Sequence, residues 1–337
     1  MQRALLFFFL YVEFVFAANA QNNLRQQIEE RVEQRVGWVD SVVTSRYYRV
    51  KYDTAYIGRP EGKVTLKLRT NISGSTFRFE RNDGVLSGKS RLHTQTRGTI
   101  SVGASYRGIS ASISLNPAKL GGKSKDNEYA LNVFKNRFGL DINYQDTKTM
   151  SGSATLDGID YEMGAGSVDF RMFNVNAYYV FNGKRFSYPA AFTQSFIQKR
   201  SAGSWLIGVT YLGGRIKTIG ETLEGVGTLR IREGYLSIGG GYAYNFVYKK
   251  RWLFHLSVLP TLVVGSWNDV RLDDQRTKMK TPFPHINTTT RAAINYQFNR
   301  KYFAGVTMMM NNSFMGNHRV FVDYTRWYAR LIFGIRL

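Results

Sequence analysis

The chain has 337 residues, a net charge of +22, no cysteine and 15% aromatic residues. Without cysteine there is no disulfide framework for the fold to depend on. So large a positive charge suits nucleic acid or anionic lipid. The Lys and Arg scatter through turns and strand ends, with no basic helix and no RNP-like aromatic strand. The expected partners are therefore outer-membrane lipid headgroups and lipopolysaccharide on either side of a hydrocarbon slab, and not nucleic acid.

Residues 1–20 read as a signal peptide. Met1-Gln2-Arg3 is a short positive stretch, residues 4–17 are apolar apart from Glu13, and Ala18-Asn19-Ala20 is a small-residue cleavage pattern. That run falls short of the ~20 residues a spanning helix needs. Residues 21–60 form an N-terminal periplasmic helix and lead-in. Leu24, Ile28, Val32 and Val36 recur every fourth residue among Glu29, Glu30, Arg31, Glu33 and Arg35, so 22–44 is predicted helical, with Gly37 interrupting or ending its regular part. Two placements stay open: packed beneath a barrel, or inserted into its lumen. Residues 47–60 are an extended approach.

From residue 61 the pattern changes to a period of two. Strand one (64–79) sets Val64, Leu66, Leu68 and Ile72 against Lys67, Arg69 and Asn71, while Phe77 and Phe79 fall on the other parity. Gly74 is expected to mark a bulge where the faces switch. Strand two (92–106) turns at Arg107-Gly108 into strand three (109–115), and 116–128 is a polar loop. Strand four (129–134) turns at 135–137 into strand five (138–144). A long Gly- and Asp-rich loop (145–166) precedes strand six, which ends in Tyr178-Tyr179-Val180-Phe181 and turns at Asn182-Gly183, a strong hairpin dipeptide. Residues 186–203 do not alternate, and strand seven is clear from Trp205. In strands eight and nine, Leu236, Ile238, Tyr242, Tyr244, Phe246 and Tyr248 share one parity. Trp252, Phe254, Leu256 and Val258 restart it after Lys249-Lys250-Arg251. Residues 267–284 form another polar loop. Strands ten (286–298) and eleven (302–310) meet through Asn299-Arg300-Lys301, and the last strand runs 324–337.

Twelve strands result, with short turns and longer polar loops alternating between them. Strands this long, greasy on one side and polar on the other, exceed what a soluble sandwich uses. They suit an all-β transmembrane antiparallel up-and-down β-barrel over 61–337, with periplasmic turns, extracellular loops and a wet lumen. Tyr106, Tyr178, Tyr179, Tyr248, Trp252, Phe298 and Tyr302 stand beside the short turns, where an interfacial aromatic girdle belongs.

Three features bear on chemistry. Pro189 breaks a strand ladder, and 190–201 could form a short helix with Phe192 and Phe196 on one side. Pro189, Phe192, Gln194, Phe196, Lys199 and Arg200 then belong either to a segment across the periplasmic mouth or to an irregular start of strand seven. Lys67, Arg69, Arg291 and Arg330 fall on the inward parity. They either bias a pore toward anions or pair with lumenal Asp141, Asp169 or glutamates of the N-terminal helix. His255 and Ser257 share that parity too, but same-strand neighbours rarely have nucleophile–base geometry and no paired acid is evident. No catalytic residue, cofactor site or metal site is expected, since no H-x-x-H, HExxH, CxxC, Walker or suitably placed GxSxG motif occurs.

The blocks Tyr52-Asp53-Thr54 to Tyr56-Ile57, 186–195, 198–204 and Gly239 to Asn245 resemble an uncharacterised family of predicted outer-membrane barrels from Bacteroidota, the DUF4421 family. The resemblance spans nearly the whole mature chain and implies location and fold, with no established activity. The expected role is a passive pore or carrier for small hydrophilic solutes, anions included, in the bacterial outer membrane after Sec-type export and insertion by the barrel-assembly machinery. The alternatives are a scaffold barrel contacting periplasmic partners, and a lipid- or glycan-modifying barrel enzyme.

Overall fold

The computed structural model describes residues 49, 51–82, 87–106, 109–115, 127–156, 158–218, 228–272, 275–277, 283–316 and 320–337, with eight positions between 30 and 45. The chain divides into residues 1–51 and 52–337. In the first unit the eight described positions between 30 and 45 are helical, Gly37 included, so helix lies on both sides of that glycine. The hydroxyls of Ser41 and Ser45 donate back to the carbonyls of Trp38 (2.8 Å) and Val42 (3.1 Å). Residues 1–29, with the signal peptide and Glu29, lie outside the described residues.

The second unit is a curled sheet of antiparallel strands. After a two-residue β1 (Ile57–Gly58), β2 (Val64–Asn82) rises, and β3 (Ser87–His93) with β4 (Arg97–Tyr106) descends as one broken strand. β5 (Ile109–Leu115), β6 (Asn127–Phe134) and β7 (Phe138–Thr147) follow, then a small hairpin of β8 (Ser151–Leu156) and β9 (Ile159–Met163). β10 (Val168–Val180) descends to α1 (Tyr188–Phe192) and β11 (Ile197–Gln198). The remaining strands are β12 (Ala202–Thr218), β13 (Leu229–Tyr248), β14 (Trp252–Leu272), β15 (Gln275–Thr277), β16 (His285–Gln297), β17 (Tyr302–Gly316) and β18 (Val320–Arg336). From β10 to β18 successive long strands pair with one another, and β18 pairs with β2 from Arg336↔Thr65 to Val320↔Arg81, which brings the chain back to its first long strand. Counting β3 and β4 as one, twelve strands run end to end, an up-and-down barrel. β5 and β6 share no ladder among the described residues. Bonds across the bore tie that side together: Ser75 Oγ and Tyr324 OH donate to Gln145 Oε1 at 3.0 and 3.1 Å, and Arg326 pairs with Glu128.

The faces are inverted relative to a water-soluble protein. Outward residues such as Leu68, Val102, Ile207, Leu256, Val264 and Leu331 are exposed, while Asn143, Asn176, Thr210, Ser237, Thr261 and Thr289 are buried inside. A continuous apolar exterior of this kind is the lipid-facing band of a membrane barrel. Among the described residues no helix is long and apolar enough to cross a membrane, and the crossing falls to the strands.

Several expectations are corrected. The faces do not switch at Gly74: the β2–β18 ladder runs unbroken through Gly74↔Trp327, and Phe77 stays on the same inner face as Lys67. On the other side of β2 the register shifts by one residue between Ser73↔Arg97 and Thr76↔His93, with the extra residue on the partner strand. The interior itself turns apolar there, where Phe77 packs on the cluster of Leu92, Met150, Met163, Phe170 and Tyr324. The predicted loop 145–166 contains the β8–β9 hairpin, whose β8 pairs with β3. β14 continues to Leu272, through much of the predicted loop after Trp267. A residue inserted opposite Leu236/Ser237 shifts its parity on the way. β12 begins at Ala202, and β17 extends to Gly316.

Candidate functional site

Among the described residues, the bore is closed at its short-turn end by a connection that is not a hairpin turn. β10 stops at Val180, and residues 182–201 fold inward instead of reversing directly into β12. Ser187 caps α1, its hydroxyl accepting from the Ala190 amide at 3.3 Å, and Pro189 sits in the first turn where no backbone donor is needed. Every residue of α1 is buried. The helix is therefore Tyr188–Phe192, earlier and shorter than the expected 190–201. Gln194, with φ at +51°, turns the chain back out.

Polar inner residues of the wall hold this plug. Asn245 Nδ2 donates to the Ser187 carbonyl and to Gln198 Oε1, both at 3.0 Å. Gln198 Nε2 donates to the carbonyls of Arg185 (2.6 Å) and Arg200 (3.0 Å). Asn295 Nδ2 donates to the Ala191 carbonyl at 2.8 Å, and Lys67 Nζ to the Thr193 carbonyl at 2.5 Å. Rings fill the rest: Phe134 lies 5.0 Å from Phe192, and Phe186 5.0 Å from Tyr188. Beneath them Arg291 and Asp141, neither with any exposed side chain, form an ion pair. The Arg291 guanidinium lies 4.5 Å from the Tyr178 ring centre. Outside the plug, β11 pairs with β1 through Ile57↔Gln198 and Gly58↔Ile197, so residues 52–58 and 186–200 form one unit.

At the long-loop end the apolar cluster around Met150 and Phe170 caps the bore. Between the two closures lies a polar layer with a cavity of about 20 Å³, lined by Asn143, Asn176, Thr210, Asn287 and Asn311 among others. That is room for roughly one water molecule.

Of the four basic positions, Lys67 and Arg291 are buried and Arg69 and Arg330 half-buried, all on the inner parity. Lys67, Arg69 and Arg330 come together on β2 and β18, whereas Arg291 is held by Asp141. Pro189, Phe192 and Gln194 enter the bore. Phe196, Lys199 and Arg200 face the lead-in: Phe196 meets Tyr52, Lys199 donates to the Thr54 carbonyl at 3.0 Å, and Arg200 lies over Tyr56. Tyr106, Tyr179, Tyr248, Trp252, Phe298 and Tyr302 are exposed on the outer face. Tyr178 leaves the girdle, because it sits one residue out of phase with Tyr179, points inward and is 4% exposed. Asn245, Gln198 and Tyr188 were not singled out from sequence; the inward parity of Asn245 was the available signal.

His255 bonds Asn245 Oδ1 through Nδ1 at 2.7 Å and Ser257 Oγ through Nε2 at 3.1 Å. Those are the spacings of a Ser–His–Asn relay. The rings of Phe186, Tyr188 and Phe192 lie 5.9, 5.1 and 5.0 Å from the imidazole, so the trio contacts the plug directly. Among the described residues no group of acids and histidines could hold a metal ion.

A curled antiparallel sheet with a greasy exterior, a polar interior and an inserted plug defines a transmembrane β-barrel of the outer-membrane type. The chain belongs to the family described as "Domain of unknown function (DUF4421)", whose model matches residues 51–334. No curated protein matches it. Among solved structures it is similar to the outer membrane protease OmpT of Escherichia coli (9% identity, 82% of this chain and 97% of that one, TM-score 0.40). It is also similar to the translocator domain of the autotransporter NalP of Neisseria meningitidis (9%, 93% and 98%, 0.30) and to OprG of Pseudomonas aeruginosa (10%, 83% and 98%, 0.26).

Proposed function

We propose that this protein is an outer-membrane passage for small hydrophilic solutes, closed at rest, with residues 182–201 as its periplasmic gate. In this reading the chain is exported through the Sec route, inserted by the barrel-assembly machinery, and ringed by lipid and lipopolysaccharide. The observation that carries it is the contrast between wall and plug. The wall presents amides and hydroxyls inward along most of its length, as a water-filled passage would. At the short-turn end the obstruction is a short helix and loop held by side-chain hydrogen bonds and by the buried rings of Phe186, Tyr188 and Phe192, and at the long-loop end it is the apolar cluster around Met150 and Phe170. Such bonds are individually worth about 0.5–1.5 kcal/mol and each buried ring about 1.5–3 kcal/mol; none of these contacts belongs to the strand ladder, so in this reading the plug moves while the ladder stays paired.

A second reading, a scaffold barrel that contacts periplasmic partners, draws on the fully buried Arg291–Asp141 pair and on the β1–β11 ribbon at the mouth. One measurement separates the two. In planar bilayers the wild type should conduct rarely, and a variant with residues 190–198 replaced by a Gly-Ser linker should show discrete, sustained conductance steps. A folded linker variant as silent as the wild type would remove the passage and leave the scaffold.

A further inference from the structure

We infer that Lys67, Arg69 and Arg330 form a binding site for a phosphate-type anion on the inner wall beside the plug. The β2–β18 register sets Arg330 opposite Asn71, Ile332 opposite Arg69 and Gly334 opposite Lys67. The three cations thus occupy successive inward rungs of two adjacent strands, with same-face diagonal neighbours about 7–8 Å apart at the backbone. Arg69, Arg336 and Arg330 all act electrostatically on Lys67, and Arg330 on Arg69.

Several other cations of the bore are matched by carboxylates: Arg291 by Asp141, Arg97 and Arg326 by Glu128, Arg215 by Asp169. Here the contacts are neutral. Lys67 donates to the Thr193 carbonyl at 2.5 Å, and Arg330 Nε to Asn71 Oδ1 at 2.5 Å. Among the described residues no carboxylate pairs with any of the three, and the Arg69 guanidinium bonds to no side chain. Like charges crowded into a half-buried wall repel unless an anion joins them. Ser101 stands opposite Arg69 and Gly103 opposite Lys67, so a hydroxyl and a position without a side chain neighbour the cations. Two guanidinium forks and an ammonium match a tetrahedral, multiply charged oxyanion better than a lone carboxylate.

The site deepens the passage reading by naming a solute class, and as a statement about transport it rests on that reading; the binding itself does not. Free phosphate and a lipid phosphate share the required chemistry. The test is equilibrium dialysis of radiolabelled inorganic phosphate against the full chain, purified in detergent and delipidated, beside Arg69→Gln/Arg330→Gln. Saturable binding by the wild type, at least tenfold weaker in the double variant and kept by Arg69→Lys, supports the site for free phosphate. Native mass spectrometry without delipidation is the second arm. A phosphate-bearing lipid retained by the wild type and lost by the double variant assigns the same site to a headgroup. The inference is overturned if the wild type binds neither, or if the double variant binds both as the wild type does. Should the double variant not fold, Arg69→Gln alone carries the comparison. Conductance reports separately: phosphate binding by a linker variant that never conducts keeps the site and removes the passage.

Discussion

Asp141 and Arg291, 150 residues apart in the chain, close an ion pair inside the bore with no exposed side-chain surface on either. Arg291 also lies against the rings of Tyr178 and Tyr188, so it joins the wall strands β7, β10 and β16 to the plug. Removing one partner strands a buried charge. Asp141→Asn or Arg291→Met should each cost about 3–5 kcal/mol. The double change should cost clearly less than the sum. Urea titration of the folded, heat-modifiable gel band measures both.

The exterior of β12 gives a second test. Val209 lies mid-strand on the lipid-facing parity beside Ile207 and Tyr211. Val209→Lys should destabilise insertion by about 2–4 kcal/mol, the cost of a cation near the bilayer midplane. Val209→Leu should stay within about 1.5 kcal/mol, because only volume changes. Folding into lipid vesicles across a urea series distinguishes them.

Gln198 is the hub of the plug. Its side chain accepts from the Ser187 amide (3.1 Å) and Asn245 Nδ2 while donating to the carbonyls of Arg185 and Arg200. Gln198→Leu leaves buried polar groups without partners, each costing about 1–3 kcal/mol. Trypsin should then cut at Lys184, Arg185, Lys199 or Arg200 at least tenfold faster, while the barrel band keeps its mobility. An unchanged cutting rate would mean that the plug is held by its rings alone.

The relay-like trio supplies the fourth. Ser257, under the plug rings, should resist phosphonylation by a fluorophosphonate probe in the intact protein. His255→Ala should weaken plug retention in the trypsin assay, because Asn245 Oδ1 and the rings of Phe186, Tyr188 and Phe192 lose their partner. Stoichiometric labelling of Ser257 would reopen the enzymatic reading.

The strand pattern was legible because alternation is a local property. Leu236, Ile238, Tyr242 and Tyr244 declare an outer face, and Asn245, His255 and Ser257 an inner one, without reference to any other strand. The same rule misled at Phe77, where an apolar residue was taken for an outward one. Inside and outside are both apolar at the long-loop end of this barrel, and composition alone does not distinguish lipid from a packed cap. Tyr178 misled for the same reason, since adjacent tyrosines at a strand end must face opposite ways.

The sequence by itself determined twelve amphipathic strands, their order and which side of each meets hydrocarbon. It also marked 186–203 as a break in that pattern. Only the tertiary structure decided that the break enters the bore, that Gln198 docks on Asn245 and Ile57, and that Arg291 meets Asp141 while Arg69 meets no acid. Periodicity is written in neighbouring residues, whereas those pairings join positions up to 150 residues apart, brought together by the curling of the sheet.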